Sequence, residues 1–465
     1  MKTATKPQKD LTQGALIPQI ILFSLPIMAT SVLQLLFNTA DTIVVGRWGG
    51  DDPVSCANSL AAVGCCASLI KLMGDFFLGV GIGSGVCVAN GIGAKEYGEV
   101  RKVVHTSVLT SFIAGLAVMI FGLVAAPFCL QMMGTDPAII DEATLYIRAY
   151  FLGMPATVIY FYCSSMLRSS GDSTRPLIFL SIAGVANVLL NLLTVIVFRW
   201  GAFGVGIATA VSQWISCFLI LGYMIRSDGP CHLSLKELRI HTDKLKRILW
   251  IGIPAGIQYT FFAISNVLIQ SAMNPLGSTA VAGNTAASNL DSYVYATQNA
   301  FYQTALTFVG QCAGAKKYQR LKKSILCCIG MVTLVGLSVG GLMLLFGEPL
   351  LRLYAPENDG VIYYGMIRLS VFCLTYFIGG LMETGCGALN GFGKSVSPMV
   401  ITLLGSCVFR IVWIFTVFAW IPDLFVLYLS YPISWGLTAM VQFIFCFVHL
   451  KKRMRENKAV LNVNT

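Results

Sequence analysis

The sequence predicts an all-α integral membrane protein of twelve transmembrane helices in two six-helix bundles, and three observations carry that prediction. Of the 465 residues, 56% are hydrophobic and only 11% are charged, against roughly a quarter charged in soluble domains. The apolar residues lie in unbroken stretches of about 20 to 30, long enough to cross a ~30 Å hydrocarbon core as helix. A membrane β-barrel would instead alternate in ~10-residue strands. The third observation is an internal repeat: GAKEY at 93–97 recurs as GAKKY at 314–318, an offset of 221.

Each span follows in order. The first, 15–47, comes after a basic start (Lys2, Lys6, Lys9) and is too long for a signal-peptide core, so it is expected to stay uncleaved. Spans at 54–90, 98–127, 137–170, 175–199 and 203–226 complete a first bundle assigned to 1–226. The Gly-rich GVGIGSG at 79–85 sits inside the second span and reads as close helix packing. A polar linker at 227–241 follows. The second bundle, 242–465, holds spans at 242–271, 277–313, 319–347, 359–391, 396–421 and 423–452, then a short basic tail.

The repeat holds across both bundles. Pro176 matches Pro398 at an offset of 222, Arg148 matches Arg368 at 220, and Pro26 and Asn38 match Pro254 and Asn266 at 228. Six spans per repeat return the chain to the same side, so the halves are parallel and a pseudo-twofold axis along the membrane normal relates them. Such repeats are typical of secondary transporters.

Charge sets the orientation. Of 32 Lys and Arg, 25 fall in the termini and alternate loops of one face. The other face has only Arg47, Arg199 and Arg352 beside the acids Asp51, Asp52, Asp136, Asp141, Glu142, Glu357 and Asp359. The positive-inside rule then puts both termini in the cytoplasm. The same rule accounts for the net charge of +11 without a nucleic-acid partner. The fifteen cysteines include no CxxC pair and lie largely in apolar stretches, where a free thiol packs as a small hydrophobe; neither disulfides nor a metal site is expected. No phosphate-binding GxxxxGK[ST] loop, HExxH or Ser/His/Asp arrangement occurs, which argues against an ATP-driven pump or an enzyme. No cofactor is expected.

An ionisable group in hydrocarbon is costly, so each one retained asks for a reason. On the first span Ser31, Gln34, Asn38 and Asp41 share one helical face, a stripe expected to border a cavity. Asp41 lies about 9 Å from the outer helix end, and a carboxylate there can exchange a proton or hold a desolvated cation such as Na⁺. It can equally serve as a structural hydrogen-bond acceptor. The Pro-aligned position in the second half is Ile269, an asymmetry that favours ion coupling. Asn187 and Asn191 lie one turn apart on the fifth span with Thr209 on the sixth, either completing a shell around Asp41 or bonding helices together. On the eighth span Asn284, Ser288, Asp291, Tyr295 and Gln298 form a second polar stripe, expected to line something wet. Asp291, Glu383 and Arg410 each lie about a dozen residues into their helices, so Arg410 is placed to neutralise either acid, as a functional group or as a clamp. Tyr259, Phe262, Tyr293 and Tyr376 can offer cation–π faces.

On these residues the chain resembles bacterial members of the multidrug and toxic compound extrusion (MATE) family. The resemblance rests on Pro26 and FNTADTIVVGRWG at 37–49, LAAVG at 60–64, GIGAKEYGEVRK at 91–102, LRSSGDSTRP at 167–176, NVLLN at 187–191, GVGIATAVSQ at 204–213 and FVGQCAGAKKY at 308–318. It is closest to DinF-like and Firmicute-type members. The family fold implied is two six-helix bundles around a V-shaped cleft, exporting cationic or amphipathic compounds in exchange for H⁺ or Na⁺. Asp41 matches the family's first-helix carboxylate and Asn187 its helix-5 amide, whereas Asn191 stands where several prokaryotic members carry Asp. A helix-7 Glu of another branch corresponds to Phe262, and its helix-10 acid is displaced to Glu383, so that branch's sodium site is not implied. The expected partners are small-molecule substrates and membrane lipids, for a monomeric protein. The alternative is a flippase of the same superfamily moving a lipid-linked substrate.

Overall fold

The computed structural model describes residues 10–50, 52–356 and 358–463. Lys2, Lys6, Lys9, Asp51 and Glu357, used in the charge count, lie outside them. The described residues form helices joined by short turns, with no strand among them. Twelve long helices succeed one another: α1 (Leu16–Trp48), α2 (Pro53–Gly93), α3 (Tyr97–Met132), α4 (Ile140–Phe151 and Met154–Ser169), α5 (Thr174–Val197), α6 (Gly201–Arg226), α7 (Thr242–Met273), α8 (Ser278–Gly314), α9 (Tyr318–Leu345), α10 (Asp359–Gly391), α11 (Val396–Phe418) and α12 (Leu424–Val463). Ten of them are long and apolar enough to cross a bilayer, and α4 makes an eleventh if its two parts form one span. The twelfth, α8, has the length but carries the polar stripe, which lowers its apolarity.

Three spans depart from straight α-helix. α4 bends by 44° between its parts, where Pro155 has no N–H to continue the backbone ladder. α5 winds as π-helix over Leu192–Val197, and α11 does so over Leu403–Val408 and Ile414–Phe418. The segments 192–197 and 414–418 correspond at the repeat offset of 222, so the widened turn is a property of both halves. The repeat also shows in the backbone: Lys95 and Lys316, 221 apart, both adopt positive φ, 61° and 56°, a conformation uncommon for residues other than glycine.

The chain forms two compact units, and they do not divide at the linker. The first contains Ala29–Val88 and Glu96–Gly252, and the second contains Asp10–Met28, Ala89–Lys95 and the chain from Ile253 onward. Residues 10–28, assigned to the first bundle by sequence, thus belong with the second unit. Their apolar side chains explain it: Leu11, Ile20, Phe23 and Ile27 share a buried cluster with Phe301, Phe308 and Val332, and the Phe23 and Phe308 rings meet edge to face at 5.8 Å. Residues 242–252 sit with the first unit because Gly83 and Gly252 let α2 and α7 touch backbone to backbone. A Cβ at either glycine would strike the Ile248 or Val80 carbonyl oxygen.

Small residues also set the helix contacts that matter below. In the first unit Gly184 of α5 lies flat against the Phe37 ring of α1. In the second, Gly283 of α8 rests on the Val361 carbonyl, and Gly387 and Gly391 of α10 rest on the carbonyls of Tyr302 and Leu306. Close approach at small residues is how membrane helices gain packing without a hydrophobic driving force.

Candidate functional site

Two buried polar clusters result, one in each unit. The Phe37–Gly184 contact brings α1 against α5, and one turn further along Asp41 meets Asn191. The Asn191 amide donates to the Asp41 carboxylate and to Asn187 Oδ1 at 3.4 Å, and Asn187 Nδ2 donates to Thr209 Oγ1 on α6 at 3.4 Å. Asp41 is half-buried and Asn191 fully buried. Asp41 forms no ion pair among the described residues. Asn191 Oδ1 is buried with no hydrogen-bond partner. The cluster is therefore short of donors: a carboxylate and amide oxygens converge, with no protein cation to balance them. Asn191 also sits at the junction where α5 passes into its π-helical turn, a form frequent at functional sites. Gln34 and Asn38 remain exposed on α1. Sequence reasoning missed Tyr146 and Tyr150 of α4, whose hydroxyls lie near enough to Asp41 to feel its charge. Their spacing of four on one helix was the available signal.

The second cluster is saturated. Arg368 on α10 donates through Nε to Asp291 Oδ2 at 2.7 Å and through Nη1 to Asn284 Oδ1 at 2.6 Å, with Ser288 Oγ at 3.5 Å. The Tyr376 hydroxyl donates to the other Asp291 oxygen at 3.2 Å. Tyr428 donates to Asn284 at 3.1 Å, and Asn284 Nδ2 donates to Gln270 at 2.7 Å. The Arg368 guanidinium also lies 4.3 Å from the Phe372 ring centroid. Every charge here has an opposite charge and a hydrogen bond.

This corrects the role expected of Arg410. It neutralises neither Asp291 nor Glu383; it donates to Ser434 at 3.1 Å and Asn266 at 3.3 Å and stacks 4.0 Å over Tyr431. The reason is placement: Asp291 on α8 packs on α10, which brings its own arginine, whereas Arg410 on α11 faces α12. Two of the aromatic faces are also committed to the protein's own groups. Phe262 lies 5.2 Å from Arg410, and Tyr376 is bound to Asp291. The stripe on α8 does not act as one site. Asn284, Ser288 and Asp291 join Arg368, Tyr295 is half-buried further along, and Gln298 is buried against Gly336 and Gly380 with neither amide atom bonded. Glu383 is buried and forms no ion pair among the described residues; Tyr259, Tyr302 and Cys386 feel its charge. Among the described residues no group of three or more His, Cys, Asp or Glu side chains is placed to hold a metal ion.

Residues 26–193 and 254–416 match the MatE family. The chain is 27% identical over 389 residues to the probable multidrug resistance protein YoeA of Bacillus subtilis, covering 82% of each. It is 24% identical over 392 residues to the probable multidrug resistance protein NorM of Thermotoga maritima, covering 83% of this chain and 82% of the relative. Its fold superposes with a TM-score of 0.89, at 20% identity and 97% coverage, on a structure described as an outward-facing conformation of a multidrug resistance MATE family transporter of the MOP superfamily.

Proposed function

The chain belongs to the MatE family of membrane multidrug transporters, and on that premise we propose that it is a secondary antiporter exporting cationic or amphipathic compounds in exchange for H⁺ or Na⁺, with Asp41 as the coupling residue. The observation that carries this reading is the donor deficit around Asp41: a half-buried carboxylate beside the orphaned Asn191 oxygen, with no ion-pair partner. A proton or a desolvated Na⁺ supplies what the cluster lacks. When the ion binds, the Asp41 charge is neutralised and its bond to Asn191 weakens, so the α1–α5 contact has two arrangements of different ion affinity. An ion gradient then shifts the population between them.

In the cycle this implies, the outward-open state loads the ion at Asp41, rearranges α1 and α2 and releases substrate. The inward-open state returns the ion to the cytoplasm and takes up substrate. Asn187 and Thr209 hold the Asn191 amide in place. Its similarity to bacterial relatives supports a plasma-membrane location, and the charge distribution supports both termini being cytoplasmic.

The test is transport of a lipophilic cation such as ethidium in proteoliposomes under an imposed pH or Na⁺ gradient, comparing wild type with Asp41→Asn. The reading expects gradient-driven transport in wild type, its loss in the variant, and retained substrate binding; whichever gradient drives transport identifies the ion. Full transport by the variant contradicts the assignment.

A further inference from the structure

We propose that the first unit binds a phosphate-bearing anion in a basic pocket between the 227–241 segment and the opening turns of α3. The cavity has a volume of about 530 Å³, within the range of small-molecule sites. Arg101 and Lys102 of α3 face Lys236 and Arg239 of the segment across it, and Glu237 is the one acid in its lining. The neighbouring Glu99 does not offset this charge, because it is shared between Lys102 at 2.8 Å and Lys244 at 2.5 Å. Arg101, Lys236 and Arg239 form no ion pair among the described residues. Three cations with no acid partner thus converge on one cavity.

The walls are held in place by the segment's own bonds. Ser234 N donates to His105 Nε2 at 3.0 Å, His105 Nδ1 lies 2.7 Å from the Arg101 carbonyl, and His241 N donates to Thr106 Oγ1 at 3.1 Å. Gly98 adds access: a Cβ there would meet nothing within 4 Å.

The internal repeat supplies the contrast. In the second unit the stretch corresponding to the opening of α3 is the start of α9, and the segment leading into α1 packs there. Arg320 donates to the carbonyls of Leu11, Gln13 and Gly14 at 2.7–3.0 Å and to Gln19 Oε1 at 2.9 Å. Lys317 donates to Thr12 at 3.0 Å. There the protein's own carbonyls engage Lys317 and Arg320, which at the offset of 221 stand where the first unit has Glu96 and Glu99, whereas in the first unit the 227–241 segment leaves a cavity beside Arg101 and Lys102. Phosphate is the fitting class, because two guanidinium groups and two ammonium groups match an anion of several oxygens and more than one charge. The pocket lies on the face rich in Lys and Arg, where anionic headgroups collect. The same chemistry is offered by a phospholipid headgroup or by a soluble phosphate compound.

The test uses the purified full-length chain in neutral detergent. Calorimetric titrations with dioctanoyl phosphatidylglycerol, dioctanoyl phosphatidylcholine and inorganic pyrophosphate are run on wild type and on an Arg101→Gln/Lys236→Gln/Arg239→Gln variant. A control variant, Lys322→Gln/Lys323→Gln/Lys394→Gln, removes the same charge from the same face. The pocket variant is expected to bind phosphatidylglycerol or pyrophosphate at least roughly ten-fold more weakly than wild type, with the control unchanged and phosphatidylcholine silent. Tight binding of phosphatidylglycerol but not pyrophosphate assigns a lipid headgroup; tight binding of pyrophosphate assigns a soluble phosphate. Absence of binding by wild type to both anions, or equal weakening in the two variants, overturns the proposal.

Discussion

Asp41 and Asp291 are the same side chain in two opposite settings. Asp291 is 2% exposed and bonded on both oxygens, one to an arginine and one to a tyrosine. Asp41 is half-buried, bonded to an amide, and has no ion-pair partner among the described residues. The internal repeat sharpens the contrast. Arg148 is the counterpart of Arg368, yet it donates to the Leu123 carbonyl at 3.0 Å instead of to an acid, and at the offset of 221 the counterpart of Asp291 is Ile70. The π-helical turn after Asn191 recurs at 414–418, where Phe409 and Trp413 stand in place of Asn187 and Asn191. The backbone scaffold is therefore common to both halves, and the chemistry was placed separately in each. A charge that is fully compensated resists change, whereas one left short of a partner can respond to an ion.

That difference can be broken from either side. The largest effect is expected from Asp41→Asn, which should abolish gradient-driven transport while leaving the thermal unfolding midpoint in detergent close to wild type. Next is Arg368→Gln, which strands Asp291 and should destabilise the protein by about 3–5 kcal/mol, read as a lower unfolding midpoint. Adding Asp291→Asn to it should recover most of that loss, because the uncompensated charge is gone; a double variant as unstable as the single one would show that packing, and not charge, is at stake. Asn191→Leu should slow coupled transport roughly ten-fold, the size of one hydrogen bond to a charged group, with folding little changed. The smallest effect is expected from Asn266→Ala, which removes one bond from Arg410 and one from the Tyr431 hydroxyl at a cost of about 0.6 kcal/mol each and leaves transport intact.

Much of the fold was legible because the bilayer imposes length and apolarity on every span. The bend at Pro155 has a residue to mark it, but the π turns have none: they depend on how α5 and α11 pack. The reassignment of residues 10–28 was also hidden, since amphiphilic pattern does not say which neighbour a helix meets. In the first cluster, the lone acid on α1 and the two amides one turn apart on α5 stand out in the sequence; their meeting depends on Gly184 accepting Phe37, a contact between residues 147 apart. In the second cluster the sequence holds the spacing Arg368, Phe372, Tyr376, four apart on one face of α10. That signal was obscured because depth counted from helix ends places Arg368 near the surface and Arg410 deep, while partner choice depends on which helix packs against α8.

The central claim is that Asp41 couples ion and substrate while Asp291 serves structure. It is tested most directly by measuring the ion released when substrate is added to purified protein, with a pH indicator in weak buffer for H⁺ and radioactive sodium for Na⁺. The account predicts ion release from wild type and from the Asp291→Asn/Arg368→Gln variant, and none from Asp41→Asn. Undiminished release from Asp41→Asn, or its loss only in the Asp291→Asn/Arg368→Gln variant, would contradict it.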